Sequence, residues 1–132
     1  MNDTGTLLRI GDLSTWLDSN QGVVRAIDGL SLEIGRGETF ALLGESGCGK
    51  SMTALSVMRL LPDTGEVVNG TVELDGDDLL RKPEVAMRDI RGRRVAMIFQ
   101  EPMLSLNPVM TIGAQIAETL ERHTRLDDTA LA

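Results

Sequence analysis

Apolar and polar residues alternate along the first part of the chain. Residues 7–17 carry six apolar side chains without helical spacing, and residues 23–34 alternate loosely between apolar and polar positions. Alternation with a period of two is typical of a strand that places one face on the core. Turn-forming residues at 19–22, 28–29 and 35–38 punctuate these segments. The pattern predicts an antiparallel meander in which residues 23–34 form two strands joined by a turn at Asp28–Gly29.

Two later segments, residues 39–43 and residues 94–99, are mainly apolar and do not alternate in this way. Such short apolar runs are typical of strands buried on both faces of a parallel sheet. We therefore expect two buried strands, the second of which ends at Gln100. Residues 71–75 alternate again and predict an exposed strand, followed by a turn at Asp75–Gly76.

Three segments show helical periodicity. Residues 51–61 have apolar side chains at helical spacing and are followed by Pro62, which ends a helix. Residues 84–90 predict a short helix, and residues 111–123 predict a longer one. Residues 103–108 are predicted to form a loop. The longer helix carries one apolar stripe: Ile112, Ile116 and Leu120.

Composition narrows the class of protein. The 132 residues are 42% hydrophobic and 25% charged, with a formal net charge of −7, which is ordinary for one soluble domain. The acidic balance argues against non-specific nucleic-acid binding, which needs Lys and Arg to displace counterions. A single cysteine, Cys48, cannot build a disulfide framework or a zinc site. Because the sequence has neither an apolar run of about 18 residues nor a secretory signal, we expect a soluble cytoplasmic protein, or one attached to a membrane only through partners.

The segment Gly44–Ser51 matches the phosphate-loop pattern G-x-x-x-x-G-K-[ST] at every required position. Glycines let the backbone curl so that its N–H groups face an anion, and a helix N-terminus adds partial positive charge. Lys50 can reach the β- and γ-phosphates, and the Ser51 hydroxyl can ligate Mg²⁺. The pattern therefore predicts a site for a nucleoside triphosphate with magnesium. Its expected binding residues are Gly44, Glu45, Ser46, Gly47, Cys48, Gly49, Lys50, Ser51 and Met52.

Two stretches carry a family resemblance. Gly44–Ser51, together with the preceding residues 34–39, resembles the Walker A region of the ATPase subunit of ABC transporters. Residues 97–108, with the form F-Q-x-P-x-x-S-L-N-P, resemble the Q-loop of that family. This form is most similar to the dipeptide, oligopeptide and nickel importer branch. The resemblance implies an ATPase whose cofactors are ATP and Mg²⁺.

The resemblance covers essentially the whole chain, as the N-terminal half of a family member, and implies an α/β fold. The expected fold is a P-loop NTPase (ABC ATPase) core with an N-terminal antiparallel β subdomain, truncated at the start of the helical subdomain. The corresponding parts are an antiparallel β region at 1–38, the P-loop core up to the Q-loop at 39–100, and the start of the helical subdomain at 101–132.

The family pattern also implies roles for single residues. Lys50 and Gln100 take catalytic roles, and Ser51 and Gln100 are the expected magnesium ligands. Gln100 corresponds to the residue that senses the γ-phosphate through magnesium and its water, whereas taken alone it is an ordinary polar residue at the end of a strand. Trp16 resembles the aromatic residue that stacks on adenine; the alternative is a tryptophan packed into the sheet.

The implied partners are two transmembrane permease subunits and a second ATPase subunit, identical or related. An extracytoplasmic solute-binding protein is implied indirectly, and no nucleic acid is expected. The implied location is peripheral, on the cytoplasmic side of the inner membrane. The expected function of the family member is ATP hydrolysis coupled to solute import, with a peptide as the solute.

The sequence departs from the family in three motifs. It contains no Leu-Ser-Gly-Gly-Gln signature, no apolar strand ending in Asp-Glu, and no histidine placed as the family's switch residue, since His123 does not correspond to it. Phosphoryl transfer needs a group that orients water as well as phosphate contacts. We expect this chain alone to bind nucleotide weakly, if at all, and not to hydrolyse it.

Two other functions stay open. One is a non-hydrolytic nucleotide-binding or interaction fragment. The other is a soluble ABC-type ATPase that acts on nucleic acid or in translation, which the absence of basic patches disfavours.

Several remaining polar residues are expected to have structural roles. Cys48 is interpreted as a small residue tolerated in the loop, and His123 as a surface histidine. Residues 91–94, Arg-Gly-Arg-Arg, are interpreted as a solvated turn. Asp127–Asp128 are interpreted as the start of a further helix.

Overall fold

The computed structural model describes residues 5–124, with Leu104 described by its backbone alone. The chain divides into two compact units, Met1–Lys82 and Pro83–Ala132. The predicted helix start at Asp127–Asp128 lies outside the described residues. No helix within residues 5–124 is long and apolar enough to cross a bilayer.

Within residues 5–124, the first unit contains four strands and one helix, and the second contains two α-helices and a short 3₁₀-helix. The elements of the first unit are β1 (Thr6–Ser19), β2 (Gly22–Gly35), α1 (Lys50–Met58), β3 (Gly65–Leu74) and β4 (Asp77–Asp78). Those of the second unit are α2 (Glu84–Ile90), the 3₁₀-helix Pro102–Ser105 and α3 (Ile112–His123).

The strands form one antiparallel sheet in the order β2-β1-β3-β4. The hairpin β1–β2 turns at 20–21, as the sequence predicts, and its register runs from Ser19 opposite Gly22 to Thr6 opposite Gly35. Strand β1 is central because β3 pairs with its other edge, from Leu17 opposite Gly65 to Leu8 opposite Leu74. The antiparallel β subdomain expected as part of the fold class is therefore confirmed.

Apolar residues from the sheet, from α1 and from the segment after β4 form the core of the first unit. Its buried members are Ile10, Leu13, Ile27, Val57, Met58, Val72, Leu74 and Leu79. In the second unit, Met87 and Ile90 on α2 are buried.

The predicted turn at Asp28–Gly29 is wrong. Residues 22–35 form one continuous strand, and the register between β1 and β2 shifts at several points. Gly29 has φ +73°, which glycine adopts without a Cβ penalty. The extra residues are absorbed as bulges, which bend and twist a strand without ending it.

Both predicted buried strands are also wrong for the described structure. Residues 39–43 have no regular secondary structure, and Leu43 is 89% exposed. Residues 96–99 are likewise irregular, next to an isolated bridge between Arg91 and Val95, and Ile98 is 91% exposed. A strand needs a hydrogen-bonded neighbour, and no strand among residues 5–124 pairs with either segment beyond that bridge.

The bounds of the three predicted helices agree better with the structure than those of the strands do. Helix α2 has the predicted bounds, α3 begins one residue later than predicted, and α1 ends three residues earlier. The end of α1 is set by Arg59, which adopts the left-handed conformation at φ +52° while its N–H caps the last turn. Part of the predicted loop at 103–108 lies in the 3₁₀-helix. The Asp75–Gly76 turn is confirmed, with both residues at positive φ between β3 and β4.

Candidate phosphate-binding site

The segment Gly44–Ser51 is a curled loop that leads directly into α1. Residues 44–48 are exposed, and α1 begins at Lys50. Gly47 and Gly49 have φ values of +84° and +91°, in the left-handed region that glycine populates readily. The first turn of α1 contains no acidic residue, so its free N–H groups and partial positive charge face no competing carboxylate on the helix itself.

Two glycines are required by close approach. A Cβ at Gly49 would overlap the carbonyl oxygen of Ala26 on β2, so this glycine lets the start of α1 rest on the sheet. A Cβ at Gly44 would overlap the Cys48 sulfur across the loop. Gly44 therefore allows the loop to curl, and Gly49 allows the end of the loop to pack against the sheet.

The Lys50 ammonium lies inside this curl. Its Nζ donates to the carbonyl oxygens of Gly44 and Glu45 at 2.7 and 2.6 Å, and it lies 3.3 Å from the sulfur of Cys48. The two carbonyl partners are neutral, and the ion pairs found within residues 5–124 do not include Lys50. An anion in the loop would therefore meet an uncompensated positive charge, which is the chemistry that phosphate oxygens require.

Ser51 and Met52 follow on the first turn of α1. Ser51 is exposed, and Met52 is partly buried. Residues 5–124 contain no group of three or more His, Cys, Asp or Glu side chains that could hold a metal ion. A magnesium ion fits here only as a partner of the Ser51 hydroxyl and of phosphate oxygens, which suits an ion that keeps most of its oxygen ligands from substrate and water.

Trp16 lies in the central strand β1, opposite Arg25 on β2 and Glu66 on β3. It is partly buried, and the Arg25 guanidinium carbon lies 5.1 Å from the ring centroid, within cation–π range. Its buried Nε1 has no hydrogen-bond partner among the described residues. The ring is thus packed into the sheet in part, and its adenine-stacking role stays a prediction.

Gln100 belongs to the second unit and is exposed. Together with Phe99, Glu101 and Ser105 it lines a concave surface of that unit. The first unit contains Lys50 and Ser51, and each unit is described by itself. The role of Gln100 toward a γ-phosphate or magnesium therefore stays a prediction.

The other polar candidates have local structural partners. His123 is partly buried rather than freely exposed, because its ring packs against the turn at Gly92, where a Cβ would lie 2.9 Å from its Nε2. Arg91, in the predicted solvated turn, is largely buried and pairs with Glu84. Cys48 is exposed and belongs to no disulfide, and its sulfur lies 3.3 Å from the Lys50 Nζ.

Two residues at the site carry no sequence signal. Thr15 and Ser56 are fully buried, and their hydroxyl oxygens lie 2.9 Å apart, which joins β1 to α1. Single hydroxyl residues inside a strand and a helix form no motif, so sequence reasoning did not find this contact. The one signal in the sequence is that Thr15 and Ser56 are polar residues among the apolar positions of a strand and a helix.

Comparison with known proteins agrees with this geometry. Residues 27–131 match the ABC transporter family. Among curated proteins, the chain is 49% identical to the probable peptide ABC transporter ATP-binding protein y4tR of Sinorhizobium fredii. The aligned region of 121 residues covers 91% of this chain and 36% of that protein. It is 46% identical to the oligopeptide transport ATP-binding protein AppD of Bacillus subtilis, over 92% of this chain and 37% of that protein. The chain thus spans about a third of the length of these relatives.

Solved structures agree on the fold. The dimeric structure of MJ0796, a bacterial ABC transporter cassette, superimposes with a TM-score of 0.79 at 19% identity, over 94% of this chain and 52% of that one. This likeness confirms the predicted fold class, an ABC ATPase with an antiparallel β subdomain. Because the family match covers most of the sequence, the chain belongs to the ABC transporter family.

Proposed function

We propose that this chain binds Mg-ATP through Gly44–Ser51 and is the nucleotide-binding part of an ATP-binding subunit that couples ATP hydrolysis to peptide import. The observation that carries the proposal is the Lys50 ammonium, which lies inside a curled loop, bonds to two backbone carbonyls and belongs to no ion pair found within residues 5–124. The names of the relatives, which are peptide and oligopeptide transport ATP-binding proteins, support the import of peptides.

The proposed chemistry assigns a separate task to each group. Lys50 exchanges the carbonyls of Gly44 and Glu45 for β- and γ-phosphate oxygens, because a charge-assisted bond to phosphate is stronger than one to a neutral carbonyl. Ser51 would hold magnesium, which would supply positive charge to neutralise the phosphates. The loop backbone and the start of α1 orient the phosphates, and Trp16 stacks on the adenine.

The remaining residues and partners follow from family membership. Gln100 acts on the γ-phosphate side of the site and ligates magnesium with Ser51. The layout is a β region at 1–38, the P-loop core at 39–100 and the start of a helical subdomain at 101–132. The longer protein acts as a dimer of ATPase subunits under two permeases at the cytoplasmic side of the inner membrane, supplied by a solute-binding protein.

Calorimetry with Mg-ATP on the 132-residue chain tests the proposal, alongside a phosphate-release assay. We expect weak binding by the unaltered chain and loss of binding in Lys50→Ala, without phosphate release by either. Lys82→Ala is the matched control, because it removes the other lysine, which pairs with Asp77 away from the loop. Equal loss in both lysine variants would show that net charge, not the loop, governs binding.

The alternative is a non-hydrolytic nucleotide-binding or interaction fragment, and a different experiment separates it from the transport function. Mg-ATP binding without phosphate release is expected for this chain under either function. Co-purification of the longer protein with permease subunits supports the transport function, and its failure with nucleotide binding intact would favour the alternative.

A further inference from the structure

A buried hydroxyl pair joins the strand that carries Trp16 to the helix that follows the phosphate loop. Thr15 Oγ1 and Ser56 Oγ lie 2.9 Å apart, and both residues have 0% exposure. Ser56 Oγ also donates to the carbonyl oxygen of Met52 at 2.7 Å. Because a hydroxyl has one proton, Ser56 accepts from Thr15 while it donates to Met52. The pair is thus fully satisfied and directional.

Helix α1 contacts the sheet at a second point close to the first. Its N-terminal Gly49 rests on the carbonyl of Ala26 in β2. Thr15 is the residue before Trp16, and Ala26 is the residue after Arg25. Trp16 and Arg25 face each other across the strands and make the cation–π contact. Thr15 and Ala26, the two residues of the sheet that α1 contacts here, therefore each lie one residue from the cation–π pair of Trp16 and Arg25.

We propose that Thr15 and Ser56 are positioning residues, which set the distance between the phosphate loop and the surface of Trp16 on which a purine stacks. The inference rests on the proposed Mg-ATP site. Apolar packing alone is non-directional and leaves a helix free to slide by small amounts, whereas a buried hydroxyl bond fixes its position along the strand. A ligand that engages both surfaces depends on this spacing, because small misplacement forfeits binding. A ligand that engages only the loop does not.

The test compares two ligands on the same chain by calorimetry: Mg-ATP, and magnesium tripolyphosphate, which has the phosphates without the base. Thr15→Val keeps the buried shape and removes the hydroxyl, and Ser56→Ala removes the acceptor. We expect each to weaken Mg-ATP binding by about five- to tenfold, because part of the contribution of base stacking is lost. Binding of tripolyphosphate should stay within about twofold of the unaltered chain, because the bonds of Lys50 within the loop involve neither hydroxyl.

Ser14→Ala is the matched control. Ser14 is a buried hydroxyl residue on the same strand, but its hydroxyl accepts from the Gly29 N–H and has no hydrogen bond to α1 among residues 5–124. It should lower the free energy of unfolding without changing the ratio of the two affinities. Thr15→Ser keeps the hydroxyl and should restore the ratio. In Trp16→Ala the stacking surface is absent, so adding Thr15→Val should cause no further loss of Mg-ATP affinity.

Equal weakening of both ligands by Thr15→Val would overturn the proposal, since it would show a role in folding alone. An unchanged ratio in Thr15→Val and Ser56→Ala would overturn it as well. Failure of the underlying function looks different: the unaltered chain would then bind neither ligand.

Discussion

Gly49 is the residue at which the phosphate loop and the sheet come into contact. Gly49→Ala must accept φ +91° and also place a Cβ against the Ala26 carbonyl. Gly47→Ala faces a similar dihedral, φ +84°, but its Cβ would meet nothing within 4 Å. The left-handed conformation costs about 1–2 kcal/mol in either variant. The overlap should destabilise Gly49→Ala by a further amount of about 1–3 kcal/mol.

Urea denaturation of the two variants measures this difference directly. We expect both midpoints to fall and that of Gly49→Ala to fall further. Equal midpoints would mean that the loop shifts away from Ala26 at no cost, and that the seating of α1 at this point is not fixed.

Trp16 offers a spectroscopic prediction, because it is the only tryptophan and the chain has no tyrosine. A purine stacked on its ring should quench the indole emission. Mg-ATP is therefore expected to lower the fluorescence of the unaltered chain, whereas magnesium tripolyphosphate should leave it nearly unchanged. If saturating Mg-ATP binds by calorimetry and the emission stays constant, Trp16 is a packed residue of the sheet and not the purine platform.

Among the secondary-structure elements, those with local signals are the ones that the sequence predicts well. Helix α2 follows Pro83, and α3 begins after Thr111, whose side chain caps it. These signals lie within a few residues of the helix ends and act before any tertiary contact forms. The bounds of both helices accordingly agree with the structure within one residue.

The runs at 39–43 and 94–99 were predicted wrongly because strand formation is not a local property. Their apolar sequence is suited to a buried sheet, but a strand exists only where another strand pairs with it. The turn at Asp28–Gly29 fails for a different reason. Aspartate and glycine favour a turn and a bulge alike, and the choice is made by pairing along both halves of β2.

For the candidate site, the sequence predicts the phosphate loop but not the contacts that hold α1 on the sheet. The residues of Gly44–Ser51 form a motif because each contributes to a local curl. The contacts that seat α1, between Gly49 and Ala26 and between Thr15 and Ser56, join residues 23 and 41 positions apart. Such distant contacts leave no pattern in a single sequence.

Helix α3 allows a test of capping. The Thr111 hydroxyl accepts from the Ala114 N–H at 3.1 Å. Thr111→Ala should destabilise the helix by about 1 kcal/mol and raise the exchange rate of the Ala114 amide. Thr119→Ala, inside the same helix, is the control, and it should not weaken the helix because alanine has the higher propensity. Similar exchange in both variants would show that the cap contributes nothing to α3.

Among residues 5–124, two of the three most exposed large apolar side chains fall in the segments 39–43 and 94–99, and the third is Val109. Leu43 is 89% exposed in the first unit, and Ile98 is 91% exposed in the second. Apolar segments without a paired neighbour present backbone groups and side chains to other molecules, which favours association between copies. We therefore expect the isolated 132-residue chain to self-associate as its concentration rises.

The double variant Leu43→Glu/Ile98→Glu should reduce this association without lowering the free energy of unfolding, because neither side chain contributes to a core. Val85→Glu is the control: Val85 is 69% exposed on α2, outside both segments, so its substitution should not alter association. Light scattering across a dilution series gives the molecular weight for each. An unaltered chain that stays monomeric at every concentration would mean that exposure of these segments does not cause self-association. Association that persists in the double variant would place the contact elsewhere, and the apolar stripe of α3 would be the next surface to test.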